Sequence, residues 1–192
     1  MTQGQAQPPS AVYISFSAEI IPHTCEALIA ALANCASQGV SEVHLLISTP
    51  GGNVMNGMNL YNVLRAMPFR LVTHNVGNVD SIGNAIFLAG EHRVASPHST
   101  FMFHGVGFDA PQGTRLEEKM LRERLDSLLA DQKRIAAIMD ERTSLDMDQI
   151  EPLFLEAQTK DAAFAASTGI VHEVRDVDIP QGAPIMALVF QR

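Results

Sequence analysis

A chain of 192 residues is one domain in length, long enough to bury a substantial core. Its 46% hydrophobic and 18% charged residues are ordinary for a globular protein, and a net charge of −8 weighs against a nucleic-acid surface. No apolar run is long enough to span a bilayer and no secretory h-region is present. Neither nucleic acid nor membrane is therefore an expected partner, and the cytoplasm is the expected location. Cys25 and Cys35 fall ten positions apart in one predicted helix, too far to bridge, which fits a reducing compartment.

Met1 to Ser10, rich in Gln, Gly and Pro, reads as a flexible tail, and residues 11–192 as a single domain. Ala11 to Phe16 is a first strand. Ile21-Pro22 opens a helix, because proline is tolerated in a first turn. Its apolar face is Cys25, Leu28, Ile29, Leu32 and Ala36, and Gly39 is the stop. Val43 to Ser48 is a buried-type strand that ends in the sharp turn Thr49-Pro50-Gly51-Gly52-Asn53. A second helix runs from Val54 to Met67, and Pro68 ends it.

Leu71 to Val76 is the next strand, followed by Gly77-Asn78-Val79-Asp80-Ser81-Ile82-Gly83 and a short apolar helix to Gly90. A serine at a strand-to-helix turn has its hydroxyl lifted from the sheet, beside helix N–H groups that lack internal partners. The plainer reading makes Ser81 a helix N-cap, with Asp80 placed for the helix dipole. Short strands follow near Arg93-Val94-Ala95 and at Thr100 to Phe103, the latter leading into His104-Gly105. Arg115 to Arg142 is a long charged helix with the apolar stripe Leu121, Leu125, Leu128, Leu129, Ala136 and Met139. Thr143 to Asp146 caps a helix that ends at Leu155. Asp161 opens the last helix, Ala162 to Ser167, and Gly169 stops it. Pro184 to Phe190 is a candidate final strand at an interface. Strands alternate with helices across connections too long for hairpins, so the class is α/β with a mainly parallel sheet.

The ordered set is strand-Pro-Gly-Gly, strand-G-x-x-x-S-x-G-helix and strand-His-Gly. From about Val12 to Val174 it resembles the proteolytic subunit of the Clp protease, within the ClpP/crotonase superfamily. The resemblance implies a β-β-α spiral with a long handle helix at about 115–142. It implies a serine endopeptidase that cleaves unfolded polypeptides or peptides inside a homo-oligomeric ring, stacked on a second ring through the handles. Ser81 would be the nucleophile and His104 its general base, and the backbone N–H groups of Gly52 and Ile82 would form the oxyanion hole. No metal or organic cofactor is required. The other histidines, His23, His44, His74, His92, His98 and His172, show no metal-ligand spacing.

Two departures from the family pattern stand out. Aligning Gln149-Ile150-Glu151 and Gly169 without a gap puts Ala157 where the family has its aspartate, so the third acid is open, with Glu156 and Asp161 as candidates. Asp80 adjoins Ser81 and is badly placed for the far side of the histidine. About ten residues precede Val12, where the family has axial loops and a further helix, which leaves a Clp-type ATPase partner undecided. Two alternatives remain alongside the peptidase. One is a crotonase-type acyl-CoA enzyme, which also holds an oxyanion with paired amides. The other is a weak or inactive ring subunit, suggested by Ala157.

Overall fold

The computed structural model describes residues 10–108, 110 and 112–190, so the expected tail lies outside the described residues except for Ser10. Strands β1 (Ala11–Ser17) and β2 (Glu42–Thr49) run parallel, with Ile14 beside Leu45 and Phe16 beside Ile47. Those four side chains share one face and are fully buried. They meet Leu28 and Leu32 of α1 (Pro22–Ser37) and Leu60 and Leu64 of α2 (Val54–Ala66) in a single core. Pro22 stands in the first turn of α1, and Gly39, at φ +73°, ends its path. Asn53 caps α2 by accepting the N–H of Asn56 at 3.0 Å.

The strand that positions the site is β3 (Arg70–Asp80). It runs parallel to β2, with an irregularity between Ile47 and Thr49. Its first half pairs with β4 (His92–Ala95) and its last three residues pair with β5 (Thr100–Met102). Changing neighbours midway lets β3 carry Asp80 four residues beyond the expected end at Val76. Polar side chains make this continuation affordable to the backbone: Asn75 Nδ2 donates to Thr100 O at 2.8 Å, and Asn75 Oδ1 accepts the Gly77 N–H at 3.1 Å.

Helix α3 (Gly83–Phe87) follows, and α4 (Glu118–Arg142) is the expected handle, begun three residues late because Glu117 is extended. Ile135, Ala136, Ile138 and Met139 root it in the core, whereas Leu121, Leu125 and Leu129 are 44%, 53% and 55% exposed. Arg93 reinforces that root. Its guanidinium is buried without a carboxylate and donates to carbonyls of Gly90, Arg142, Gly169 and Ile170 at 2.7–3.1 Å. Arg142 and Gly169 close helices, whose C-terminal carbonyls carry partial negative charge that suits a buried cation. Burial still draws the Arg93 pKa down to about 10.

Asp146 and Gln149 form a reciprocal capping box at the start of α5 (Met147–Leu155). Two short strands were not expected from sequence. Three-residue β6 (Thr159–Asp161) lies antiparallel to β5, and two-residue β7 (Glu173–Val174) extends β4. Asp161 caps α6 (Ala162–Ser167), and β8 (Ile185–Leu188) returns parallel to β1. The main path across the sheet is β6-β5-β3-β2-β1-β8, parallel except at β5–β6. Among the described residues, no helix is long and apolar enough to cross a membrane.

Candidate active site

Ser81 follows the last residue of β3 with φ at +56°, in the left-handed region that a non-glycine residue rarely adopts. That turn reverses the chain sharply into α3, whose N-cap is Ile82, so Ser81 is not the cap that the plainer reading supposed. The Ser81 N–H donates to Met102 O at 2.9 Å, which holds the turn against the end of β5. Gly51 lies against the other side. A Cβ there would sit 2.7 Å from Ser81 Cβ, so only glycine allows the loop to come this close.

The Gly51–Gly52 loop is held from several directions. Ile20 N–H donates to Gly51 O at 2.7 Å and Asn53 N–H to Ile20 O at 2.8 Å, while Thr49 Oγ1 accepts the Gly51 N–H at 3.1 Å. Asn78 Nδ2 reaches Thr49 O at 3.1 Å and Asp80 Oδ2 at 2.6 Å, which occupies Asp80 within the β3 end. Neither the Gly52 nor the Ile82 N–H has a hydrogen-bond partner among the described residues. Gly52 lines the cleft beside Ser81, whereas Ile82 is fully buried and does not.

His104 stands two residues past β5 and is half-buried. Its Nδ1 lies 2.7 Å from the carbonyl of Gly105. A carbonyl can only accept, so Nδ1 carries the proton and Nε2 is the basic nitrogen. Ser81, His104 and Gly52 line one cleft of about 670 Å³, with Met55 and Phe108 on its walls and Arg124, Leu128 and Asp131 of α4 along one side. Among the described residues no hydrogen bond joins the Ser81 hydroxyl to His104 in this conformation.

The candidate acids lie elsewhere. Glu156 accepts a hydrogen bond from Gln158, and Asp161 accepts the Phe164 N–H at 2.8 Å as the cap of α6. Thr100 pairs with Asp161 and Met102 with Thr159, and Phe103 N–H then donates to Gln158 O at 2.9 Å. The pairing stops there, because the Gly105 N–H donates instead to Phe154 O at 3.0 Å, and Ala157 is the residue just before Gln158. It is exposed and holds φ at +49°.

The sequence matches the Clp protease family over residues 10–178. This chain belongs to the Clp protease family. It is 29% identical over 119 residues to the ATP-dependent Clp protease proteolytic subunit 1 of Leifsonia xyli subsp. xyli, across 60% of this chain and 57% of that protein. The chain thus aligns with a little over half the length of that relative. An asparagine-to-aspartate mutant of ClpP1 from Listeria monocytogenes superposes with a TM-score of 0.77 at 20% identity, covering 86% of this chain and 91% of that one. The fold is therefore of ClpP type, as the motif set implied.

Ser81, His104 and Gly52 thus share one cleft, and Ala157 is not among the residues that line it. Two contributors were missed from sequence. The Gly105 carbonyl that orients His104 has no residue-type signal, since every residue has a carbonyl. Asn84 gave a signal that went unread: it is the one polar side chain in the buried run Gly83-Asn84-Ala85-Ile86-Phe87.

Proposed function

We propose that this chain is a serine endopeptidase that cleaves unfolded polypeptides or peptides inside a ring of like subunits. The observation that carries the reading is one cleft shared by Ser81 on its left-handed turn, His104 and the Gly52 loop. With Nδ1 donating to Gly105, His104 Nε2 would take the Ser81 proton during attack and return it to the leaving amine. The uncommitted N–H groups of Gly52 and Ile82 would receive the negative oxygen of the tetrahedral intermediate. Residues Arg124, Leu128 and Asp131 of α4 border the cleft. Membership of the Clp protease family favours peptide over thioester substrates, and with it the peptidase over the acyl-CoA alternative.

A fluorophosphonate probe tests this directly, because it phosphonylates an activated serine without needing the right peptide. The wild type takes the label and Ser81→Ala, folded by circular dichroism, takes none. Labelling undiminished in Ser81→Ala sinks the assignment. A second reading, a weak or inactive ring subunit, is favoured because no carboxylate bonds His104 among the described residues. It predicts labelled protein that turns over peptide poorly.

A further inference from the structure

We propose that Asn84 is a positioning residue whose side-chain amide ties the Ser81 and Met102 carbonyls together, holding the nucleophile's turn against the strand that leads to His104. The proposal rests on the peptidase reading above. Its basis is a closed set of hydrogen bonds. Asn84 Nδ2 donates to Ser81 O at 3.0 Å and to Met102 O at 2.9 Å. Met102 O also accepts the Ser81 N–H at 2.9 Å, and Ser81 O also accepts the Asn84 N–H at 3.1 Å. Both peptide groups flanking Ser81 are therefore held, which is what a residue at φ +56° requires if it is to stay there. The Ser81 hydroxyl itself has no hydrogen bond among the described residues, so its place relative to His104 follows from this backbone.

Asn84 is a costly way to fill the space. It is 3% exposed, and its Oδ1 is buried with no partner. Asparagine is a poor helix former, and an orphaned buried acceptor forfeits its hydration without return. An apolar side chain of similar volume would leave no orphaned acceptor there. The amide cannot be reversed to relieve it, because Oδ1 would then face two carbonyl oxygens. What the amide supplies and an apolar group does not is the bridge between the two carbonyls.

Three proteins are compared, wild type, Asn84→Leu and Asn84→Asp, by fluorophosphonate labelling rate, by peptide kcat and KM, and by circular dichroism. Asn84→Leu keeps its fold while labelling and kcat fall on the order of 10²-fold, the scale of a misplaced reacting group, with KM little changed. Asn84→Asp sets a carboxylate against two carbonyls. Its labelling rate relative to wild type should rise as pH falls from about 8 to about 6, where the buried carboxyl regains a proton and can donate again. A purely structural role moves neither the kcat-to-KM split nor that ratio.

A folded Asn84→Leu labelled at the wild-type rate, or a ratio flat with pH, overturns the assignment while leaving the peptidase reading intact. Wild-type protein that takes no label overturns both. Should every variant fail to fold, the wild-type Asn84 side-chain amide, followed by selective ¹⁵N-asparagine labelling, decides the matter. Protected protons that shift on Ser81 phosphonylation support the proposal, and rapidly exchanging or unmoved ones reject it.

Discussion

His104 donates its Nδ1 proton to the neutral Gly105 carbonyl. A carbonyl fixes the tautomer as well as a carboxylate does, but it brings no charge to stabilise the imidazolium that forms during attack. Losing the acid together with the tautomer costs roughly 10⁴ in rate, so with the tautomer kept the loss here is smaller than that. Ala157, which alignment sets at the family's acid position, holds a left-handed backbone at φ +49° that costs a side-chain-bearing residue roughly 1–2 kcal/mol and that Asp or Asn tolerates best. Ala157→Asp therefore relaxes the backbone and returns a carboxylate to the histidine. Peptide turnover should rise at least about tenfold, within the ceiling of roughly 10⁴, and the unfolding midpoint should not fall. Glu156→Gln and Asp161→Asn should leave turnover near wild type, since Glu156 bonds Gln158 and Asn still caps a helix. A sharp loss in either would mean that a displaced acid serves after all. At this scale the proposed pair, Ser81 and His104, was readable because a candidate nucleophile and base advertise themselves by residue type and flanking glycine. The orienting carbonyl and the left-handed Ala157 were not, because both are backbone properties that depend on register.

Among the elements, helix ends were the most legible part of the chain. Pro22, Gly39, Asp146, Asp161 and Gly169 each act locally, and each does so as expected. The end of β3 was obscured because Gly77, Asn78 and Asp80 have turn-like composition, and pairing with β5 from Asn78 onward carries the strand on. One further property of β3 emerges only from its neighbours. His74 is 2% exposed and lies 2.9 Å from His44 Nδ1 through Nε2, while His44 Nε2 meets Glu42 at 2.8 Å and Tyr13 stacks on its ring. Burial first, then the nearby His44, Arg175 and His92, push the His74 pKa down from 6.5 to about 4. Between those two values the unfolded chain binds a proton that the native chain does not, so stability is lost as pH falls through that window. The loss amounts to at most roughly 3 kcal/mol. Thermal midpoints measured from about pH 7 to about pH 4 should show it, and His74→Leu should flatten that dependence. An equally steep fall in His74→Leu would assign the acid sensitivity to other groups.

For the whole molecule, the weight falls on α4. Its 25 residues extend roughly 37 Å at about 1.5 Å each, and only the last third is fastened to the core. The remainder presents Leu121, Leu125 and Leu129 at spacings of four residues, so they share one face, and all three are more than 40% exposed. An apolar row of that extent on a chain of net charge −8 is uncommon on a monomer, and burial of three leucines could supply several kcal/mol per interface. The cleft gives the same helix a second role, because Arg124, Leu128 and Asp131 form one of its walls. Association through α4 would therefore fix a wall of the site that a lone chain holds only from one end. Replacing Leu125 and Leu129 together with glutamate should lower the mass measured by light scattering while circular dichroism stays close to wild type, since neither side chain supports the core. Turnover per chain should fall with the mass, and fluorophosphonate labelling should fall less, because the probe needs Ser81 and not the α4 wall. Wild-type protein that already runs as a monomer at micromolar concentration refutes the association outright. A variant that keeps the wild-type mass would move the contact to another exposed apolar site, of which Ile185 on β8, 57% exposed, is the next to test.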